Sequence, residues 1–102
     1  MTNKTIFSAQ TSNGSSLEFN AIGNLNNSAK ILSFLTIYGT FDGADITLEY
    51  KAADGSWYST GDISVTDSCA YFIEISVNVP YRLTLANAGA STSISSTVYN
   101  VS

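Results

Sequence analysis

The chain has no histidine, one cysteine, one proline, one methionine and four basic residues among its 102. Without histidine the commonest general base and neutral metal ligand is missing, and Ser-His and Cys-His nucleophilic arrangements go with it. Cys69 stands alone, so no internal disulfide can form. With no histidine and no basic residue near it in sequence to lower its pKa, it reads as a small packing residue rather than a reactive thiol. The basic residues Lys4, Lys30, Lys51 and Arg82 are scattered and the net charge is −4. Binding to a nucleic-acid backbone needs clustered Lys and Arg, so no nucleic-acid partner is expected. No apolar run approaches membrane-spanning length or the core of a signal peptide. No membrane partner is expected, and synthesis in a cytosol is.

What is present is apolar and neutral-polar. Hydrophobic residues make up 44% and charged residues 12%, so polarity comes from Ser, Thr and Asn. Their short side chains compete with helical backbone hydrogen bonds and favour turns and exposed strand faces. A chain of this length buries roughly 65% of its unfolded surface in one core. A single domain spanning 1–102 is expected.

Apolar runs recur roughly every 10 to 14 residues between Gly, Asn, Asp and Ser clusters, the signature of a sandwich or barrel. No stretch has a helical period. Strands are expected over Lys4–Ala9 and Leu17–Ile22, the latter with Leu17, Phe19 and Ala21 on one face. KILSFLTIYGTF, residues 30–41, is apolar at both parities and reads as a central strand covered on both sides. ITLEYK alternates, with Ile46, Leu48 and Tyr50 inward. WYSTGDISV follows, then AYFIEISV with Tyr71, Ile73, Ile75 and Val77 aligned, YRLTLAN with Tyr81, Leu83 and Leu85 aligned, and SISSTVYNV. The expectation is an all-β antiparallel sandwich, jelly-roll or Ig-like, of about eight strands, most of them joined by short hairpins.

The five aspartates, Asp42, Asp45, Asp54, Asp62 and Asp67, have the right oxygens for calcium, but no D-x-[DN]-x-[DN]-G loop is present. Asp42-Gly43 and Asp54-Gly55 are instead what a hairpin turn wants, because Gly accepts positive φ and Asp caps the turn. Glu49 and Glu74 fall mid-strand on outward faces, where a glycosidase pair has no cleft to work in. No catalytic residue, metal or cofactor is expected.

Among the aromatics, Tyr50, Tyr71 and Tyr81 are expected inward by alternation. Trp57 and Tyr58 are adjacent and so point to opposite faces, leaving one as an exposed anchor, and Phe72 is a second candidate. The N-terminal arm, carrying Thr5 and Phe7, is read either as a strand of its own sandwich or as one added to a neighbour's sheet. Thr5, Phe7, Trp57, Tyr58 and Phe72 are therefore the candidate interface residues.

The stretch LTIYGTFDGADITLEYKAADGSWYSTGD, followed by NVPYRLTLANAGASTSIS, resembles a group of small proteins encoded in tailed-phage genomes. Gly39, Phe41, Gly43, Tyr50, Asp54, Gly55, Trp57, Tyr81 and Arg82 carry the likeness across roughly residues 31 to 98, in motifs that are structural punctuation. The ADGSW hairpin is shorter than the DGG-containing one of many members. The resemblance implies a virion component, foremost a capsid decoration (cement) protein with a β-sandwich fold, often trimeric, whose partner is the major capsid protein or another virion protein. A tail, nozzle or fibre component would use the same fold, and a carbohydrate-binding module is the reading from another class.

Overall fold

The computed structural model describes residues 3–21 and 30–101. Within them are eight strands: β1 (Asn3–Gln10), β2 (Gly14–Ser15), β3 (Lys30–Thr40), β4 (Asp45–Lys51), β5 (Trp57–Val65), β6 (Cys69–Ser76), β7 (Tyr81–Ala86) and β8 (Ser93–Tyr99). They form two four-stranded antiparallel sheets, ordered β1-β8-β3-β6 and β2-β7-β4-β5. The first strand pairs with the last, β2 with β7, β3 with β6 and β4 with β5. β8 also pairs with β3, and β7 with β4. One long antiparallel ribbon rolled over on itself makes this pattern, and it is the jelly roll rather than the Ig-like alternative.

Alternation builds the core. Leu35 and Ile37 of β3, Ile73 and Ile75 of β6, and Ile94 and Val98 of β8 face Ile46 and Leu48 of β4 and Leu83 and Leu85 of β7. Each such side chain withdrawn from water contributes about 1.5–3 kcal/mol. Phe19 stacks on Tyr81 at 6.0 Å between ring centroids, and the Tyr81 hydroxyl accepts the Ser76 amide at 2.8 Å. Ser96 and Thr92 are buried yet satisfied, donating to the carbonyls of Thr36 and Phe41 at 2.7 Å each. Among the described residues no buried side-chain polar atom lacks a partner.

Four expectations change. β3 is apolar at both parities but is covered on one face only: Leu35 and Ile37 are buried while Leu32 and Tyr38 are 55% and 53% exposed. The second strand is not Leu17–Ile22 but the two-residue β2, inside the expected turn. Phe19 and Ala21 reach the core through single bridges to Tyr81 and Val101, whereas Leu17 is 59% exposed. Ile22 lies outside the described residues. Tyr71 shares the inward parity of Ile73, but β6 is an edge strand and the ring emerges at the side of the sandwich. Lastly, among the described strands only β4 and β5 are both consecutive and paired, and the other consecutive strands lie in different sheets rather than in hairpins. The Asp42-Gly43 turn, with φ of 48° and 87°, carries one such crossing, the β3–β4 arch.

Candidate functional site

Four of the five aspartates tie turns and loops. Asp42 accepts the Ser91 amide at 2.8 Å, tying the β3–β4 arch to the loop before β8. Asp45 accepts from the Asn87 side chain, and Asp67 accepts the Ser68 amide. Asp54 accepts the Ser56 amide at 2.8 Å and the Tyr58 hydroxyl at 2.9 Å. Those bonds, the backbone one first, hold its carboxyl below the ordinary range. Among the described residues no three His, Cys, Asp or Glu side chains converge as metal ligands would.

On the outer face of the second sheet, Glu49 accepts from Arg82 Nε at 2.8 Å and from the Thr84 hydroxyl at 2.6 Å. Burial opposes ionisation of Glu49. The two hydrogen bonds and the guanidinium charge outweigh it and hold the carboxyl below its ordinary 4.5. The same guanidinium lies 4.3 Å from the Trp57 ring centroid, a cation–π stack that covers one face of the indole. Glu74 sits in the other sheet, paired with Lys30 at 3.1 Å. Each glutamate alternates with core residues of its own strand, so the two point away from each other on opposite outer faces.

The outer face of the first sheet is different. Strand register places Phe34 opposite Phe72 on one side and Tyr99 on the other. The rings make a row, with centroids 5.0 Å apart for Phe34 and Phe72 and 6.0 Å apart for Phe34 and Tyr99, tilted by 51° and 45°. Leu32 extends the row along β3. Phe72 and Leu32 are 65% and 55% exposed with Phe34 and Tyr99 half-buried between them, so this is a contiguous apolar surface and not a scatter of single residues. Lys30 and Glu74 border it.

A groove of about 410 Å³ opens at the side of the sandwich where β5 and β6 form edges of the two sheets with no further strand beside them among the described residues. Leu48 and Ile63 line it together with Tyr71 and Ile73, and Asp62 and Glu74 stand at it. Its width comes from β5, whose pairing jumps from Ser59↔Glu49 to Ser64↔Thr47, bulging 60–63 away from β4. The Tyr71 phenol is pushed up to about 12, by burial first and then by the neighbouring Cys69 thiol.

The five candidate interface residues do not gather in one place. Phe72 stands in the aromatic row. Thr5 is exposed on the same outer face, opposite Thr97. Phe7 is 3% exposed: a register shift between Thr5 and Phe7 turns its ring into the core, so it packs and offers a partner nothing. The arm is the first strand of its own sandwich. Trp57 is half-buried under Arg82 on the second sheet, and Tyr58, on the opposite face of β5, is held by Asp54 beside Tyr50. Sequence reading missed Leu32, Phe34 and Tyr99. Leu32 and Phe34 are expected under cover because residues 30–41 are apolar at both parities, and the register that unites them and Tyr99 with Phe72 joins strands distant in the chain. No family model, curated protein or solved structure matches this chain.

Proposed function

We propose that this protein is a virion structural module that binds the outside of an assembled phage capsid and strengthens the shell, a decoration protein acting by binding alone. One observation carries the reading: the row of Phe72, Phe34 and Tyr99 with Leu32 on the outer face of the first sheet, where Phe72 and Leu32 are exposed and Phe34 and Tyr99 half-buried. Aromatic anchors of this kind dominate protein–protein contacts. A module that binds only the assembled shell stabilises it by mass action, and repetition over the surface multiplies weak contacts. The phage resemblance of residues 31 to 98 supplies the particle, and the partner is the major capsid protein or a neighbouring virion protein. The module itself is a closed homo-oligomer, a trimer being what the resemblance implies.

Jelly rolls serve capsids and lectins alike, and fold alone decides neither. A sugar platform would favour two coplanar exposed aromatics. Here the rings of the row are tilted by 51° and 45°, and Trp57 is already covered by Arg82. These details favour a protein partner.

Light scattering on the purified chain, then sedimentation with empty shells of the phage that encodes it, tests the reading. A closed oligomer with saturable co-sedimentation, lost in Phe72→Ser, is expected. A monomer that leaves shells untouched overturns it, and tail complexes come next.

A further inference from the structure

Every sheet edge exposes unpaired amides and carbonyls, and proteins blunt such edges with bulges, short strands or charge. Three of the four edges here are blunted. β1 carries two register shifts and a positive φ at Ala9, β2 is two residues long, and β5 is broken by its bulge. β6 is the exception. It pairs with β3 over eight consecutive residues without a shift and has no proline or lysine along CAYFIEIS, and its one charge, Glu74, is paired with Lys30 of β3. Beside it, where a next strand's inward side chains would lie, the groove of about 410 Å³ is walled by Leu48, Ile63, Tyr71 and Ile73.

We infer that the free edge of β6 is a strand-acceptor site, taking an extended apolar segment from another protein, with alternate side chains in the groove and a flanking Lys or Arg against Asp62. Charge selects that occupant. Asp62 and Glu74 stand at the groove and Asp67 in the turn before β6. Of the four cations, Lys30 is paired with Glu74 and Arg82 with Glu49, Lys4 lies on β1 at the opposite edge, and Lys51 ends β4 beside Trp57, at the other end of β5 from Asp62. Among the described residues no cation pairs with Asp62. A second copy fits poorly, because its own β6 would bring a second acidic edge, and its Ile73 and Ile75 are already buried in its own core. A bare strand has free side chains for the groove. Main-chain pairing then supplies affinity and the groove supplies selectivity. The inference rests on the chain being a binding module, not on which particle it serves.

The probe is a short synthetic peptide alternating isoleucine and threonine between terminal lysines, with an analogue N-methylated at every second amide. Amide hydrogen exchange on the full chain reads the outcome. Alternate β6 amides between Ala70 and Ile75 should slow by about tenfold with the parent peptide and not with the analogue, as edge pairing requires. Asp62→Lys, at an exposed position, should weaken the lysine-flanked peptide and favour a glutamate-flanked one. Absent protection, protection at β1 or β5 instead, or equal binding of the analogue overturns the inference. So does a doubled mass with β6 protected when no peptide is added, which would make a second copy the occupant. A chain that sediments with shells but ignores the peptide loses this proposal and keeps the decoration reading. One that binds the peptide and ignores shells does the reverse.

Discussion

At the residue scale, Glu49 carries the clearest electrostatic consequence. Its folded pKa lies below the ordinary 4.5, so its contribution to stability is complete above the unfolded value and is lost as pH falls through the folded one. Urea unfolding midpoints should therefore drop in acid more steeply for the wild type than for Glu49→Gln. The two curves should converge only once the pH has fallen below the folded pKa of Glu49, where both carry a neutral group. Parallel curves would remove Glu49 from the account. Gly39 makes a second test. Its φ is 133°, and an added Cβ would collide with the Ser93 carbonyl, whereas Gly55, φ 85°, has open space around it. Both alanine variants place an L side chain at positive φ, at a cost of about 1–2 kcal/mol. Gly39→Ala should cost about 1–3 kcal/mol more, because β3 must part from β8. Equal denaturant midpoints for the two would show that the backbone shifts freely there.

At the element scale, the two phenylalanines proposed as contact residues have opposite fates. Phe7→Ala should destabilise by about 3–5 kcal/mol, the range for an aromatic removed from a core. Phe72→Ala should cost less than about 1 kcal/mol, because the ring is largely in water, while abolishing capture on shells. If Phe72→Ala unfolds the chain, the row is structural rather than a docking face. These fates also mark how far the sequence was legible. β4 was plain, since ITLEYK has one apolar parity and a strong turn at Asp54-Gly55. β7 and β8 were readable for the same reason. β3 misled, because apolar residues at both parities look the same whether the second face is covered by protein or left open for a partner. β2 was invisible, because Gly14 and Ser15 carry no strand signal and pair only where β7 is already in place. In Phe7, one bulge reversed the face on which alternation would have put it, and local sequence holds no mark of that shift.

At the scale of the whole molecule, the roll imposes an order of events. Among the described strands only β4–β5 pairs neighbours in sequence. Pairing β1 with β8 closes nearly the full chain, and loop-closure entropy must be met before those contacts stabilise anything. Folds dominated by such pairings refold in milliseconds to seconds. The β4–β5 hairpin is the one element able to form early, held by the Ala52 amide on the Ser56 carbonyl and the Gly55 amide on Ala52, with Asp54 capping Ser56 and Tyr58. Stopped-flow refolding separates the two regions. Asp54→Ala should act mainly by slowing folding, because its bonds belong to the nucleus. Val98→Ala, buried where β8 meets both β1 and β3, should act mainly by speeding unfolding. Were Val98→Ala to slow folding as much as it destabilises, closure of the ends would precede the hairpin. The ribbon would then roll from its termini inward, and the β6 edge beside the groove would be among the last surfaces to form.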